Sequence, residues 1–137
     1  MAAAAIEEAI YNRATTHAGL SALISIRAYH YERPDGATHP HVVFWQVSGQ
    51  RESASGSDLG ICHGRWQFDI WAATAASARS VGKQVRLAFE RWRGTDGTVT
   101  VQDTFVENEM DLAEEPIEER EYHRMLDFVI HHNEATS

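Results

Sequence analysis

The segment at residues 66–71 constrains the fold of this chain more than any other, because it predicts a strand that runs directly into a helix. Every second position is large and apolar, which is the period of a half-buried strand; these positions are Trp66, Phe68 and Ile70. The positions between them are polar except for Trp71, which the pattern places on the opposite face. Nothing in the segment resembles an active site, so it predicts architecture before chemistry.

The helix that follows is predicted over residues 75–93 and is amphipathic. Its apolar positions fall within an arc of about 100°, as expected of a helix packed on a core; they are Ala78, Val81, Val85, Ala88, Phe89 and Trp92. Basic side chains cluster on the outward face, namely Arg79, Lys83, Arg86 and Arg93, and Leu87 stands among polar residues. Gly94 predicts the end of the helix.

The rest of the chain predicts an α+β fold. Helical spacing at 3–14 and a second short helical turn after Thr16 precede a strand at 26–31. Further strands are predicted at 41–48, 98–106 and 122–130, the first of them apolar on both faces. With few helices and hairpin-connected strands, the order predicts a mostly antiparallel sheet of about four to five strands, with helices packed on one face.

The chain is predicted to form a single domain over residues 1–137. A Gly- and Ser-rich segment near 50–60 predicts a flexible loop between two strands, which is longer than a hairpin requires. Residues 108–120 predict an acidic loop, and a short C-terminal tail is expected from residue 131.

Composition excludes several classes of function. The formal net charge of −8 disfavours general binding to a nucleic acid backbone. No apolar run approaches the roughly 20 residues of a membrane span, and the acidic start is not typical of a signal peptide. Cys62 is the only cysteine, so no internal disulfide can form, which fits a reducing compartment.

Residue patterns for catalysis or metal binding are weak. His131 and His132 are neighbours on a strand and point to opposite faces, so they cannot share one ion; His39 and His41 could share a face, but no carboxylate or cysteine completes a ligand set. The acidic residues from 107 to 121 look solvated, whereas a catalytic carboxylate pair needs burial. We therefore predict no catalytic, cofactor-binding or metal residues, and no enzyme.

Four tryptophans carry the remaining signal. Trp45, Trp66 and Trp92 are most simply core residues. Trp71 lies on the outer face of its strand, and Leu87 lies on the outer face of its helix, which predicts surface covered by another subunit. The alternative is that a sheet edge or the N-terminal helix of the same chain covers Trp71.

Five motifs occur in one order, and together they resemble a known family. They are PHVVFWQVSG at 40–49, WQFDIWA at 66–72, RG at 93–94, ENEMDL at 107–112 and RMLDF at 124–128. The ordered set resembles the tail-terminator, or tail-completion, family of long-tailed phages and phage-like gene transfer agents. The resemblance covers residues from about 6 to 130.

The resemblance implies a structural virion protein without catalytic residues, whose subunits close into a six-membered ring. Such a ring caps the tail tube, terminates tail growth and provides the surface that joins the head, while DNA passes through its centre. Its partners would be copies of itself, the tail tube protein and the head–tail connector protein. Its location would be the head-proximal end of the tail, after assembly in the host cytoplasm. The alternatives are another neck component, such as a head-completion protein, or a small α+β ligand-binding domain or enzyme.

Three groups of residues are predicted to serve these contacts. The subunit interface is predicted to contain Trp71, Arg79, Lys83, Arg86 and Leu87. The loop that contacts the tube or another partner is predicted to contain Arg51, Glu52 and Asp58. The acids predicted to line the channel are Glu107, Glu109, Asp111, Glu114 and Glu115.

Overall fold

The computed structural model describes residues 2–54, 57–112 and 121–133, with side chains described outside 51–60. The elements, in chain order, are α1 (Ile6–Thr16), α2 (Ala18–Ile24), β1 (Ala28–His30), β2 (His41–Ala54), β3 (Ser57–Ala72), α3 (Ala75–Phe89), β4 (Gly94–Asp96), β5 (Val99–Leu112) and β6 (Tyr122–Asn133).

The described strands form one six-stranded sheet in the order β1-β2-β3-β6-β5-β4. β1 is parallel to β2, and the other neighbours are antiparallel. The predicted α+β class and mostly antiparallel sheet are confirmed. The sheet has one strand more than the five segments predicted as strands, because β4, an edge strand of only three residues, was not predicted.

The core lies between the three helices and one face of the sheet, here called the helix face. Trp66, Phe68 and Ile70 are buried on this face, as the alternating pattern predicted. The ring centroid of Phe68 lies 4.8 Å from that of Phe89 on α3 and 5.3 Å from that of Phe128 on β6. Burying side chains of this size stabilises the fold by about 1.5–3 kcal/mol each, so this junction of α3, β3 and β6 fixes the helix on the sheet.

Helix α3 is shorter than predicted. The side chain of Thr74 caps its first turn by accepting a hydrogen bond from the Ser77 amide at 3.0 Å. The helix ends at Phe89, before the predicted Arg93, and Arg91 has a positive φ of 61°. The Arg91 amide donates to the Thr104 carbonyl at 2.7 Å, so pairing with β5 replaces the last predicted turn. Trp92 lies outside the helix and packs partly buried against the core.

Three segments predicted as loops or tail are strands. Residues 50–54 and 57–60 continue β2 and β3 as the two arms of a long hairpin; residues 55–56 lie outside the described part. Residues 108–112 belong to β5, not to an acidic loop, and His131 and His132 lie in β6, not in a tail. The predictions were wrong for these residues because polar residues in strand arms are held by cross-strand pairing, which composition does not reveal. The rest of the predicted acidic loop, at 113–120, and of the tail, at 134–137, lies outside the described residues.

A shift of register changes the faces of β5. The pairing of β5 with β6 is irregular between Val101 and Asp103, and an extra residue there reverses which side chains face the helices. Val99 and Val101 are therefore buried, whereas Phe105 is 38% exposed on the other face. A regular strand would place all three on one face, because their positions differ by even numbers.

Candidate assembly surfaces

The sheet face opposite the helix face, here called the open face, carries a groove of about 550 Å³. Its lining residues are Tyr31, Glu32, Arg33, Val43, Trp45, Asp69 and Trp71. The Trp71 ring stacks on the His123 ring with centroids 3.9 Å apart, and the Arg33 guanidinium lies 4.8 Å from its centroid. Trp71 thus lies on the outer strand face, as predicted, and is covered in part by its own chain.

Asp69 is the central carboxylate of this groove. It accepts hydrogen bonds from His123 Nε2 at 2.7 Å, Gln67 Nε2 at 2.9 Å and Trp45 Nε1 at 3.0 Å. Burial raises the pKa of Asp69, but these three hydrogen bonds outweigh it and leave the pKa below its ordinary value. Asp69 is therefore an ionised acceptor with its donors in place. Trp45 lies half-buried on the open face, so its prediction as a core residue was wrong.

His41 is fully buried beside this groove and is neutral. Its Nε2 accepts from Arg33 Nη1 at 3.0 Å, and its Nδ1 faces the Thr38 carbonyl at 3.1 Å. Because an arginine only donates, Nε2 must be the acceptor, and Nδ1 carries the proton. Burial lowers the pKa of His41 to about 4, with the nearby charge of Arg33 acting in the same direction.

Glu121 connects the start of β6 to the segment between β1 and β2. Arg33 donates to both of its oxygens, at 2.9 and 3.1 Å, and His39 Nε2 lies 2.8 Å away. The hydrogen bond from Arg33 holds the pKa of Glu121 below its ordinary value. General acid–base catalysis needs a pKa near the working pH. The pKa values of Asp69, His41 and Glu121 are all lowered, away from neutral pH, and the hydrogen bonds of these groups hold the neighbouring side chains in place.

The basic row of α3 lies on the other side of the sheet from Trp71. Leu87 is 52% exposed, and Lys83 is exposed beside it. Arg86 Nη1 lies 3.8 Å from a Glu109 oxygen, and Arg79 lines a small cavity with the end of β5. The row therefore follows β5, and the structure does not bring it together with Trp71.

Two of the predicted channel acids are paired within the chain. Arg124 binds Glu109 at 2.9 Å and Asp111 at 2.5 Å. Burial lowers the pKa of Arg124, but hydrogen bonds to these carboxylates raise it above its ordinary value. Arg124 lies directly under α3, where a Cβ at Gly82 would be 2.7 Å from its Cδ.

The other predicted contact residues are described in different detail: one with its side chain, three by their backbone alone, and two not at all. Glu107 is exposed on β5, at an irregularity in the pairing with β6. Glu114 and Glu115 lie outside the described residues. Arg51, Glu52 and Asp58 lie on the strand arms, where only the backbone is described.

Two strand margins were missed by the sequence prediction. β1 pairs with residues 42–44 of β2, and β4 pairs with residues 99–101 of β5. Within the described residues, no strand pairs with the outer edge of β2 at 45–54 (the β2 margin) or of β5 at 105–112 (the β5 margin). Exposed apolar side chains lie on both margins: Val47 is 45% exposed on the first, and Phe105 and Met110 are 38% and 39% exposed on the second.

Across the described residues, no group of three or more His, Cys, Asp or Glu side chains is arranged to hold a metal ion. No helix in the described part of the chain is long and apolar enough to cross a membrane. His132 is buried on the helix face, whereas His131 pairs with His63 on the open face. The two neighbours thus point to opposite faces, as the strand pattern predicted.

These features are those of a small α+β protein whose conspicuous surfaces are charged faces and two margins that no described strand covers, and such surfaces are typical of proteins that assemble with other chains. A chain described as "Virion of native gene transfer agent (GTA) particle" has the same fold, with a TM-score of 0.73 and 15% identity over 94% of this chain and 93% of that one. No curated protein matches the sequence.

The sequence matches the family described as "Tail completion protein gp17" over residues 8–132, and the chain belongs to that family. It is therefore a structural protein of a phage-type tail, located in the virion, where it contacts other proteins of the particle.

Proposed function

We propose that this protein closes into a ring, caps the tail tube, terminates tail growth and presents the surface to which the head joins. The observation that carries the proposal is the pair of strand margins. An unpaired strand edge presents a row of free backbone donors and acceptors, and soluble proteins normally protect such edges. Here both margins also expose apolar side chains, which favours an edge that another copy covers.

The directions of the strands fit such a contact. β2 is antiparallel to β3, β3 to β6 and β6 to β5, so β2 and β5 run in opposite directions. If the β5 margin of one copy lies beside the β2 margin of the next, the new pair is antiparallel and the sheet continues between subunits. Because the two margins differ, the contact is head-to-tail, and it forms a ring when the rotation closes.

Local irregularities favour curvature at these margins. The register shifts between Gln46 and Ser48 on β2 and between Val106 and Asn108 on β5. Such bulges bend the strand and increase its twist, as closure of a sheet into a ring requires. The number of six copies comes from the family resemblance.

The basic row of α3 accompanies this contact. Arg79 and Arg86 lie along β5 on the helix side, next to the proposed junction, and Lys83 and Leu87 extend the row to the outer surface of the helix. We propose that acidic side chains of the next copy complement this row. Trp71 lies away from both margins, and we propose that the open face around it contacts a partner above or below the ring.

The long β2–β3 hairpin is the proposed contact with the tube. Its distal arms pair Ser53 with Asp58 and Ala54 with Ser57, and they include Arg51 and Glu52. The head–tail connector would dock on the opposite end of the ring. DNA would pass through the centre without specific binding. Among the described acids of the predicted channel set, Glu107 and Asp111 are exposed, and because Asp111 is paired with Arg124, Glu107 would contribute most to repelling the DNA.

A hairpin variant tests this function. Replacing residues 53–58 by Asn-Gly removes paired residues from both arms and closes the shortened hairpin with a favoured turn. We expect the purified variant to form rings in negative-stain images, because the margins next to the sheet remain. Infection with phage that depend on the variant should yield overlong tails. Normal particles would contradict the proposed tube contact, and wild-type protein that forms no rings with purified tube protein would contradict the ring.

The phenotype also separates the two neck functions. A head-completion protein would leave tails of normal length that fail to join heads, whereas a tail terminator controls tail length. The groove on the open face is the feature that would favour a ligand-binding domain or an enzyme. Two of its ionisable groups, Asp69 and Arg33, are already paired, as described above, which favours the structural role.

A further inference from the structure

A cavity of about 370 Å³, here called the α1 cavity, lies between α1 and the point where the β2 margin begins. Two aromatic side chains line it from the sheet. They are His30 and Phe44, the last cross-strand pair of β1 and β2, and their ring centroids lie 5.4 Å apart. The residues that line it from α1 are Glu7, Glu8, Tyr11 and Asn12. The α1 cavity therefore combines an aromatic wall with two carboxylates, on the helix side of the sheet.

The two carboxylates of this cavity are not neutralised within the described part of the chain. Glu7 and Glu8 lie in the first turn of α1, where negative charge is favourable because the helix dipole is positive there. Among the described residues, neither carboxylate forms an ion pair or a side-chain hydrogen bond. Glu8 is exposed and Glu7 is half-buried, so a cation from another chain can reach both.

Two cations of the basic row on α3 are also unpaired. Arg79 and Lys83 are exposed, and neither forms an ion pair with another described residue, whereas Arg86 lies 3.8 Å from Glu109. Arg79 lines a small cavity together with Leu112, the last residue of β5. Helix α3 thus carries its unpaired cations beside the end of the β5 margin.

The ring proposed above, on which this inference rests, brings the two surfaces together. In an antiparallel pair, the end of one strand lies beside the start of the other. The end of the β5 margin, at residue 112, therefore lies beside the start of the β2 margin, at residue 45. Helices α1 and α3 cover the same face of the sheet, so the two cations of one copy face the α1 cavity of the next.

We propose that Arg79 and Lys83 dock at the α1 cavity of the next copy, where their charged groups pair with Glu7 and Glu8. Long cationic side chains can lay their aliphatic stems on apolar surface while the charged ends stay near water. The stems of the two side chains therefore cover the aromatic wall of the cavity.

This contact also selects which margins meet. If two β5 margins paired, the cations of both copies would face each other, and two paired β2 margins would bring the carboxylates together. Like charges disfavour both arrangements. The head-to-tail contact remains, and it is the contact from which a ring can close.

The experiment uses two charge-reversed copies. The acid-reversed copy carries Glu7→Lys and Glu8→Lys, and the base-reversed copy carries Arg79→Glu and Lys83→Glu. Each copy alone places like charges at every contact, so we expect it to form rings roughly 10-fold or more slowly than the wild type at low salt. Mixed in equal amounts, the two copies should assemble at close to the wild-type rate, because an alternating ring places opposite charges at every contact. Light scattering measures the rate, and native mass spectrometry should find equal numbers of both copies in each ring.

A matched substitution separates the position of the charge from its sign. Glu8→Lys alone should already slow assembly, whereas Asp35→Lys makes the same change of charge at an exposed position before β2, away from the margin, and should assemble like the wild type. Circular dichroism checks that all variants are folded. The contact is refuted if either reversed copy alone assembles at the wild-type rate, if the mixture assembles no faster than its components, or if Asp35→Lys slows assembly as much as Glu8→Lys. Wild-type protein that forms no rings would instead contradict the ring itself.

Discussion

Changing Val47 to lysine tests the strand-margin contact most directly. Val47 is 45% exposed in the isolated subunit. Full burial of a valine side chain contributes about 1.5–3 kcal/mol, so covering the exposed part would contribute about 0.7–1.4 kcal/mol at each contact. Over the six contacts of the proposed ring this sums to about 4–8 kcal/mol. Lysine removes this apolar contribution to the free energy of assembly and places a charge on the edge. Charged edge residues are one way in which natural edge strands avoid pairing.

The subunit itself should tolerate the change. A surface substitution of this kind usually alters the free energy of unfolding by no more than about 0.5 kcal/mol. Native mass spectrometry should therefore show folded monomers for Val47→Lys under conditions in which the wild type forms rings. Val47→Ile should retain the ring because it keeps the apolar surface. Ala22→Lys, an exposed position on α2, introduces the same charge outside the margins and should also retain it.

Two results would refute this reasoning. A Val47→Lys ring as stable as that of the wild type would show that the β2 margin is not buried on assembly. Equal dissociation of Ala22→Lys would show that added positive charge, not its place on the edge, weakens the ring.

Three further substitutions test other parts of the structure. Leu87→Asp should weaken the ring without unfolding the subunit, since Leu87 is 52% exposed. Light scattering measures the mass of the assembly, and circular dichroism measures the fold. An intact ring or a collapsed fold would contradict the assignment of Leu87 to the subunit interface. The pKa of His41 is about 4 in the folded chain, below its ordinary value of 6.5. As the pH falls, the unfolded chain therefore binds a proton at this histidine before the folded chain does. The free energy of unfolding should decrease by about 3 kcal/mol between pH 6.5 and pH 4. Urea unfolding should show this slope in the wild type and lose it in His41→Gln. Burial raises the pKa of Asp127, and the negative charges of Asp69 and Glu107 act in the same direction. The Oδ1 atom of Asp127 has no hydrogen-bond partner among the described residues. Asp127→Asn should raise the free energy of unfolding at pH 7, with the gain vanishing at acidic pH where aspartic acid is neutral; equal stability of the two proteins at pH 7 would contradict this.

The core could be predicted because its signal is periodic within single elements. Trp66, Phe68 and Ile70 repeat every second residue, and Val81 and Val85 recur at helical spacing; all five are buried. Each element therefore carries enough information to orient its own apolar face. The family resemblance added the functional prediction, which the matched family supports at the level of a structural tail protein.

The polar contacts of the sheet could not be predicted because they join residues that are distant in sequence. Trp45 resembles a core residue in its strand, yet its indole donates to Asp69, 24 residues away. Glu109 and Asp111 resemble solvated loop acids, yet they are held in place by Arg124 from another strand. Composition gives the negative charge of these two acids. Only the register between β5 and β6 shows that Arg124 lies opposite them and balances this charge.

The pairing of these acids also changes what we expect of the interaction between the protein and DNA. The net charge of −8 suggested that a run of free acids repels DNA, but Glu109 and Asp111 are neutralised locally on the helix side. The described residues instead place paired charges on the faces of the sheet and leave backbone groups unpaired at its margins. Fixed ion pairs stiffen a surface but add little affinity for a partner when they are exposed, whereas unpaired edges and exposed apolar side chains gain free energy when another copy covers them. Assembly strength should therefore depend on Val47 and the β5 margin, and salt should affect the rate of ring formation more than the stability of the finished ring.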